Sequence, residues 1–220
     1  LAILTFLVGF TVLGILAAMI YQQAPPIPQR VVTESGGPLF TYQDIMEGQH
    51  LFQRRGLMQF GTIFGHGAYL GPDFTAQYLH QALLQATDYY RAQGMTADEA
   101  RARVEREAKE NRYQPGARTL TYSPAQAYAF GQMVQFYTEW FGPNQRQQGL
   151  RRPHLAEPED VRRLTAYFSW AAWVSAAQRP GATYSFTNNW PPEPLAGNVL
   201  TAESMVWSAL SLIALLGGIG

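Results

Sequence analysis

No cysteine occurs among the 220 residues, and that absence removes several chemistries at once. Disulfides, thiolate metal sites, cysteine nucleophiles and covalently attached c-type haem are all excluded. An excess of one charge is also missing. The 16 basic residues balance 16 acidic ones and form no basic stripe, which argues against nucleic acid as a partner. "GTIFGHG" lacks the Lys-Ser/Thr pair of a phosphate-binding P-loop, and no Ser-His-Asp order accompanies a nucleophile-elbow glycine pattern. The only histidines are His50, His66, His80 and His154, and no two stand at the i, i+4 spacing that sets a ligand pair on one helical face. Each reads as a surface or hydrogen-bonded histidine, and the chain shows no catalytic constellation of its own.

Charge is absent altogether from both ends. Residues 1–21 and 204–220 carry none, so every charged side chain lies between Arg30 and Glu203. At a helical rise of ~1.5 Å per residue, the first run spans about 30 Å, the thickness of a bilayer's hydrocarbon core. A cleaved signal peptide wants a basic n-region, a shorter apolar core and a small-x-small site, none of which is clear, so residues 1–21 are expected to be an uncleaved anchor. Leu1 replaces the usual methionine and the last run stops while still apolar. Both ends read as cut, and the expectation is a piece of a longer membrane protein.

Between the apolar runs the pattern is helical. "QQAPPIPQRVV" favours a stiff, extended linker over residues 22–40. Thr41 with Asp44 opens a short amphipathic helix that Gly56 closes. A helix from about Thr75 ends at Gly94, and Thr96 with Glu99 is a capping box for a charged surface helix. "YQPGARTLTYS" signals a small hairpin or irregular loop only weakly. Ser123 and Pro124 start a helix that Gly142 ends, and acids at Glu157, Glu159 and Asp160 start the last one. "RPGATYSFTNNWPPEPLAGN" runs as an extended connector over 181–200, and 201–220 begins a second span. The fold class expected is all-α and membrane-anchored: transmembrane helix 1–21, helical domain 41–180, second span from 201.

Two features invite a functional reading. Tyr122, Tyr128, Phe130, Phe136, Tyr137 and Trp140 suit either a quinone or haem pocket or, more simply, a packed core with an interfacial belt. Between helices, "RRGLMQFGTIFGHGAYLGPDF" places glycine at 61, 65, 67 and 71. Glycine is kept where the backbone needs positive φ or a close approach, so this stretch suits a tight structural loop, a cofactor's approach, or an ion held by carbonyl oxygens.

"GQHLFQRRGLMQFGT" resembles the start of a class I cytochrome c domain, with Leu57 and Phe60 at the two cysteine positions and Gly61 at the haem-ligating histidine. "GHGAYLGPDF", "PEDVRRLTAYFSWAAW" and "TNNWPPEP" resemble the small cytochrome c subunit of bacterial nitric oxide reductase. The order of anchor, domain and second span is similar to the single-chain, quinol-dependent nitric oxide reductases, where a haem-less cytochrome c-like domain is fused to the catalytic subunit. No methionine stands between Met133 and Met205 to serve as axial ligand. His154 lies in that region, with no second histidine placed to join it.

The resemblance implies a multi-pass enzyme of the bacterial inner membrane that reduces nitric oxide to nitrous oxide with electrons from membrane quinol. Residues 22–200 would face the periplasm or outer side. It implies no cofactor in this piece. Two b-type haems and a non-haem iron would belong to the transmembrane bundle of the same chain, whose ligands lie beyond residue 220. It further implies a calcium ion bound through main-chain oxygens of Gly67 and Tyr69. The other class of protein weighed is a membrane-tethered, non-catalytic assembly module with a degenerate cytochrome c fold.

Overall fold

A computed structural model describes residues 2–143, 146–147, 150–151 and 155–219. The first helix, α1 (Ala2–Gln22), is exposed along its described side chains. It is the one helix among the described residues that is long and apolar enough to cross a membrane. The last, α7 (Ala202–Ile219), is also apolar and exposed, but its apolar stretch, Ala202–Gly218, is shorter.

The domain between them is mostly helical: α2 (Tyr42–Arg54), α3 (Phe74–Ala92), α4 (Ala97–Lys109), α5 (Pro124–Trp140) and α6 (Pro158–Ala176). The caps read from sequence at Thr41, Thr96 and Ser123 are present. Thr41 with Asp44, Thr96 with Glu99 and Ser123 with Gln126 each form a reciprocal capping box; Asp73, not read as a cap, caps α3. Gly56 takes φ 60° beyond α2, a left-handed closure that costs glycine little. In α6, 13 of 19 residues are buried, which makes it the central helix. It crosses α2 so closely that a Cβ on Gly48 would stand 2.1 Å from the Arg163 carbonyl oxygen.

The all-α expectation needs correction. Strands β1 (Arg30–Thr33), β2 (Pro38–Thr41), β5 (Tyr113–Gln114) and β6 (Thr119–Tyr122) form a sheet in the order β2-β1-β6-β5. Its centre is the parallel pair β1–β6, which joins Arg30 to Thr119 and Thr33 to Tyr122. The second half of the expected linker is therefore part of the domain. Val31 and Leu120 are buried on the sheet, and Phe40 packs on Phe130 at 4.8 Å and edge-on to Tyr122. Two further hairpins are β3 (Thr62–Ile63) with β4 (His66–Gly67), and β7 (Arg146–Gln147) with β8 (Leu150–Arg151).

The α4 helix, expected to be a solvated surface helix, buries a stripe of Ala100, Val104, Glu107 and Ala108. The Glu107 carboxylate is satisfied from three elements. It accepts from Tyr90 Oη at 2.6 Å, Arg103 Nε at 3.1 Å and Ser123 Oγ at 2.6 Å. Ser123→Ala removes the α5 cap, worth about 1 kcal/mol, and one bond to a buried carboxylate, worth about 1.5–3 kcal/mol. The expected loss is roughly 2–4 kcal/mol, read by urea unfolding with tryptophan fluorescence.

Five buried tyrosines make the fold sensitive to alkali. Burial pushes the Tyr90 and Tyr167 phenols up to about 12, the Glu107 hydrogen bond adding to the effect at Tyr90. Tyr78, Tyr122 and Tyr137 are raised further, again chiefly by burial. A raised folded-state value means that the native fold prefers the neutral phenol. This contribution is intact below the unfolded value near ~10 and is lost as pH rises through the folded one. Stability is expected to hold up to about pH 10 and to fall steeply toward pH 12. Tyrosinate absorbance and helical circular dichroism should change together.

Candidate functional site

The glycine-rich segment is built around Asp73. Its Oδ1 caps α3 through the Ala76 amide at 2.9 Å, while Oδ2 accepts from Thr62 Oγ1 at 2.6 Å and the Gly65 amide at 2.7 Å. Thr75 Oγ1 accepts from the Phe64 amide at 3.0 Å. These bonds fold 62–67 into the β3–β4 hairpin, whose two-residue turn has positive φ at both Phe64 (51°) and Gly65 (77°). Such a turn matches strand twist but strains a residue other than glycine, asparagine or aspartate. Phe64 is held there by its edge-on contact with Trp170 at 6.1 Å.

This hairpin sits where both chain exits meet. The Trp170 indole donates to the Pro26 carbonyl, four residues past the end of α1, at 3.0 Å. The Trp190 ring of the connector lies against Gly65. The connector itself is not simply extended. Asn188 and Asn189 take left-handed φ values of 54° and 61°, and Lys109 Nζ donates to the side-chain oxygens of both Asn189 and Asn198. Asn198 in turn donates to the Ser175 and Pro191 carbonyls. Proline and glycine content alone predicts an extended connector; asparagine side chains standing in for missing backbone bonds fold it back onto α4 and α6. The asparagines at 188, 189 and 198 were the legible signal for this anchoring. Lys109 carried none.

The haem-motif positions are closed by packing. Leu57 has no exposed surface and Phe60 is half-buried. Gly61 is buried, and a Cβ there would stand 2.4 Å from the Pro72 carbonyl oxygen and 2.7 Å from the Phe74 ring. Phe74 stacks on Phe168 at 4.9 Å and 6°, and packs edge-on against Phe52 at 5.7 Å and Trp140 at 5.3 Å. Tyr137 and Phe141 complete the cluster. Nothing larger than hydrogen fits at the position of a ligating histidine, so these residues do not fit a covalently held haem. Of the aromatics singled out in sequence, Tyr122, Phe130, Tyr137 and Trp140 are core, Phe136 is partly buried and Tyr128 is exposed.

The histidines do not converge. His50 and His66 are exposed, and His80 lies 3.0 Å from Glu193 of the connector. His154 lies outside the described residues. Among the described residues no group of three or more His, Cys, Asp or Glu side chains gathers to hold a metal. Gly67 has φ 139°, and its neighbour Tyr69 is 84% exposed. Asp73, the one acid in the loop, has both oxygens committed to the loop's own bonds. Calcium would find main-chain oxygens here but no free carboxylate, and its anionic ligands would have to come from elsewhere.

A search of curated proteins finds no match. The family described as the NorB cytochrome c-like domain of nitric oxide reductase matches residues 28–192. That span starts before β1 and ends after the Trp190 contact, so it takes in both the sheet and the junction of loop and connector. The chain therefore belongs to the NorB family of nitric oxide reductases and carries its cytochrome c-like domain.

Proposed function

We propose that this chain is the N-terminal part of a quinol-oxidising nitric oxide reductase of a bacterial cell membrane. The full reaction is 2 NO + 2 e− + 2 H+ to N2O + H2O. The observation that carries the quinol reading is Gly61, packed against Pro72 and Phe74 with no room for a ligand. A domain that cannot hold haem in its motif cannot relay electrons from a soluble cytochrome, so the donor has to reach the catalytic bundle through the membrane. The domain's own work is then positional. Its hairpin, clasped by Trp170 and Trp190, docks on the bundle, with exposed Met58 and Tyr69 beside it.

The intact enzyme tests this. Haem extraction should yield b-type and no c-type haem, with nitric oxide consumed using a quinol analogue and not reduced cytochrome c. A c-type signal, or turnover with the soluble donor alone, overturns the proposal. Failure to consume nitric oxide at all leaves the tethered, non-catalytic module. Calcium at Gly67 and Tyr69 is read in the same preparation: a Tyr69 deletion should lower the bound calcium, and unchanged content rules this site out.

A further inference from the structure

Four helices of the domain line a partly open cavity of about 60 Å3 that has no part in the proposed docking role. It lies between α3, α4, α5 and α6, on the side of the core that faces Glu107. Leu79, Leu83 and Val104 form part of its wall, and small residues such as Ala129, Ala172 and Ala176 leave the space open. Cavities of this kind stay dry when polar groups are few, because a trapped water needs two to four partners.

Most polar groups of the lining are already bonded to one another. Tyr122 and Ser169 bond one another at 2.8 Å. Glu107 is saturated by its three donors, and Gln126 donates to the Glu107 carbonyl while accepting from the Ser123 amide. Trp173, 7% exposed, lines the cavity and its Nε1 has no hydrogen-bond partner. A wall whose surface is mostly apolar, with its hydroxyl and carboxylate groups bonded to one another, suits a small, uncharged molecule better than water. At about 60 Å3 the space admits only a small molecule.

We infer that this cavity is a binding site for one small neutral gas molecule, of the class to which nitric oxide and nitrous oxide belong. The choice of nitrogen oxides rests on the proposed reductase function; the site itself does not. Xenon, an uncharged atom that enters dry cavities, is the probe.

Crystals of the intact protein pressurised with xenon should show an anomalous peak among Leu83, Ala129 and Ala172. Ala129→Val should abolish it by filling the space, and Leu83→Ala should strengthen it by enlarging the space. The second variant guards against the first merely failing to fold. No xenon peak in either the natural protein or Leu83→Ala, or ordered water filling the cavity in both, overturns the inference. Anaerobic soaks with nitric oxide and nitrous oxide then tell substrate from product. Since xenon is read without turnover, loss of the reductase reading and loss of the site are separately visible.

Discussion

Gly61→His, which restores the side chain that a haem motif would carry, is expected to unfold the domain and not to create a haem site. The Cβ alone would meet the Pro72 carbonyl oxygen at 2.4 Å and the Phe74 ring at 2.7 Å. Neither can give way cheaply. The Pro72 oxygen accepts the Thr62 amide at 3.0 Å, and the Phe74 ring is fixed by its stack on Phe168. Overpacking a well-filled core costs about 1–3 kcal/mol for added methylenes. An imidazole against backbone and a locked ring exceeds that range, and a buried unpartnered ring nitrogen adds a further ~1–3 kcal/mol. The expected loss is above about 4 kcal/mol, which marks an exceptional substitution. Gly61→Ala should show a smaller part of the same loss. Urea unfolding of the two variants in detergent checks both, and a stable Gly61→His protein that takes up haem would show that the aromatic cluster can reopen.

Gly48→Ala is the second large effect, and it acts at the crossing of α2 and α6. The new methyl would stand 2.1 Å from the Arg163 carbonyl oxygen, 2.7 Å from its carbon and 2.9 Å from Tyr167 Cβ. In an exposed helix this change stabilises by up to about 1 kcal/mol, because alanine favours helix. Here the two helices must separate by more than an ångström, which loosens the α2–α6 crossing around Phe52, Tyr167 and Phe168. We expect a net loss of about 3 kcal/mol or more, measured by the same urea unfolding. The sign distinguishes the two effects: unchanged or increased stability would mean that α2 and α6 are not pressed together at Gly48.

Much of this architecture was legible because it is local. Thr41 and Thr96 announce their helices through an acid three residues on and Ser123 through the proline after it, and the structure places all three in capping boxes. The sheet was not legible, for a physical reason. Its strands have two to four residues, too few for alternation to show, and β1 follows three prolines that read as a linker. What makes Arg30–Thr33 a strand is β6, far along the chain. The loop was legible in part. Its glycines marked a backbone constraint, but the constraint at Gly61 is the Phe74 ring, and the one at Gly65 is a left-handed turn under Trp190. Neither partner can be named from spacing. The cavity was invisible in sequence, since alanines in four helices carry no sign of facing one another.

The parallel pairing of β1 with β6 sets a timetable. Thr33 pairs with Tyr122, so β1 waits while the ribosome adds 89 further residues, the difference between those two positions. At about 5–20 residues per second the delay is roughly 4–18 s. Through that interval α1 is already complete and β1 has only its β2 hairpin partner. If α1 enters the bilayer as it emerges, the domain closes with its first strand already tethered at the membrane surface. Synthesis order then decides which end of the domain faces the lipid before the pairing of β1 with β6 has formed.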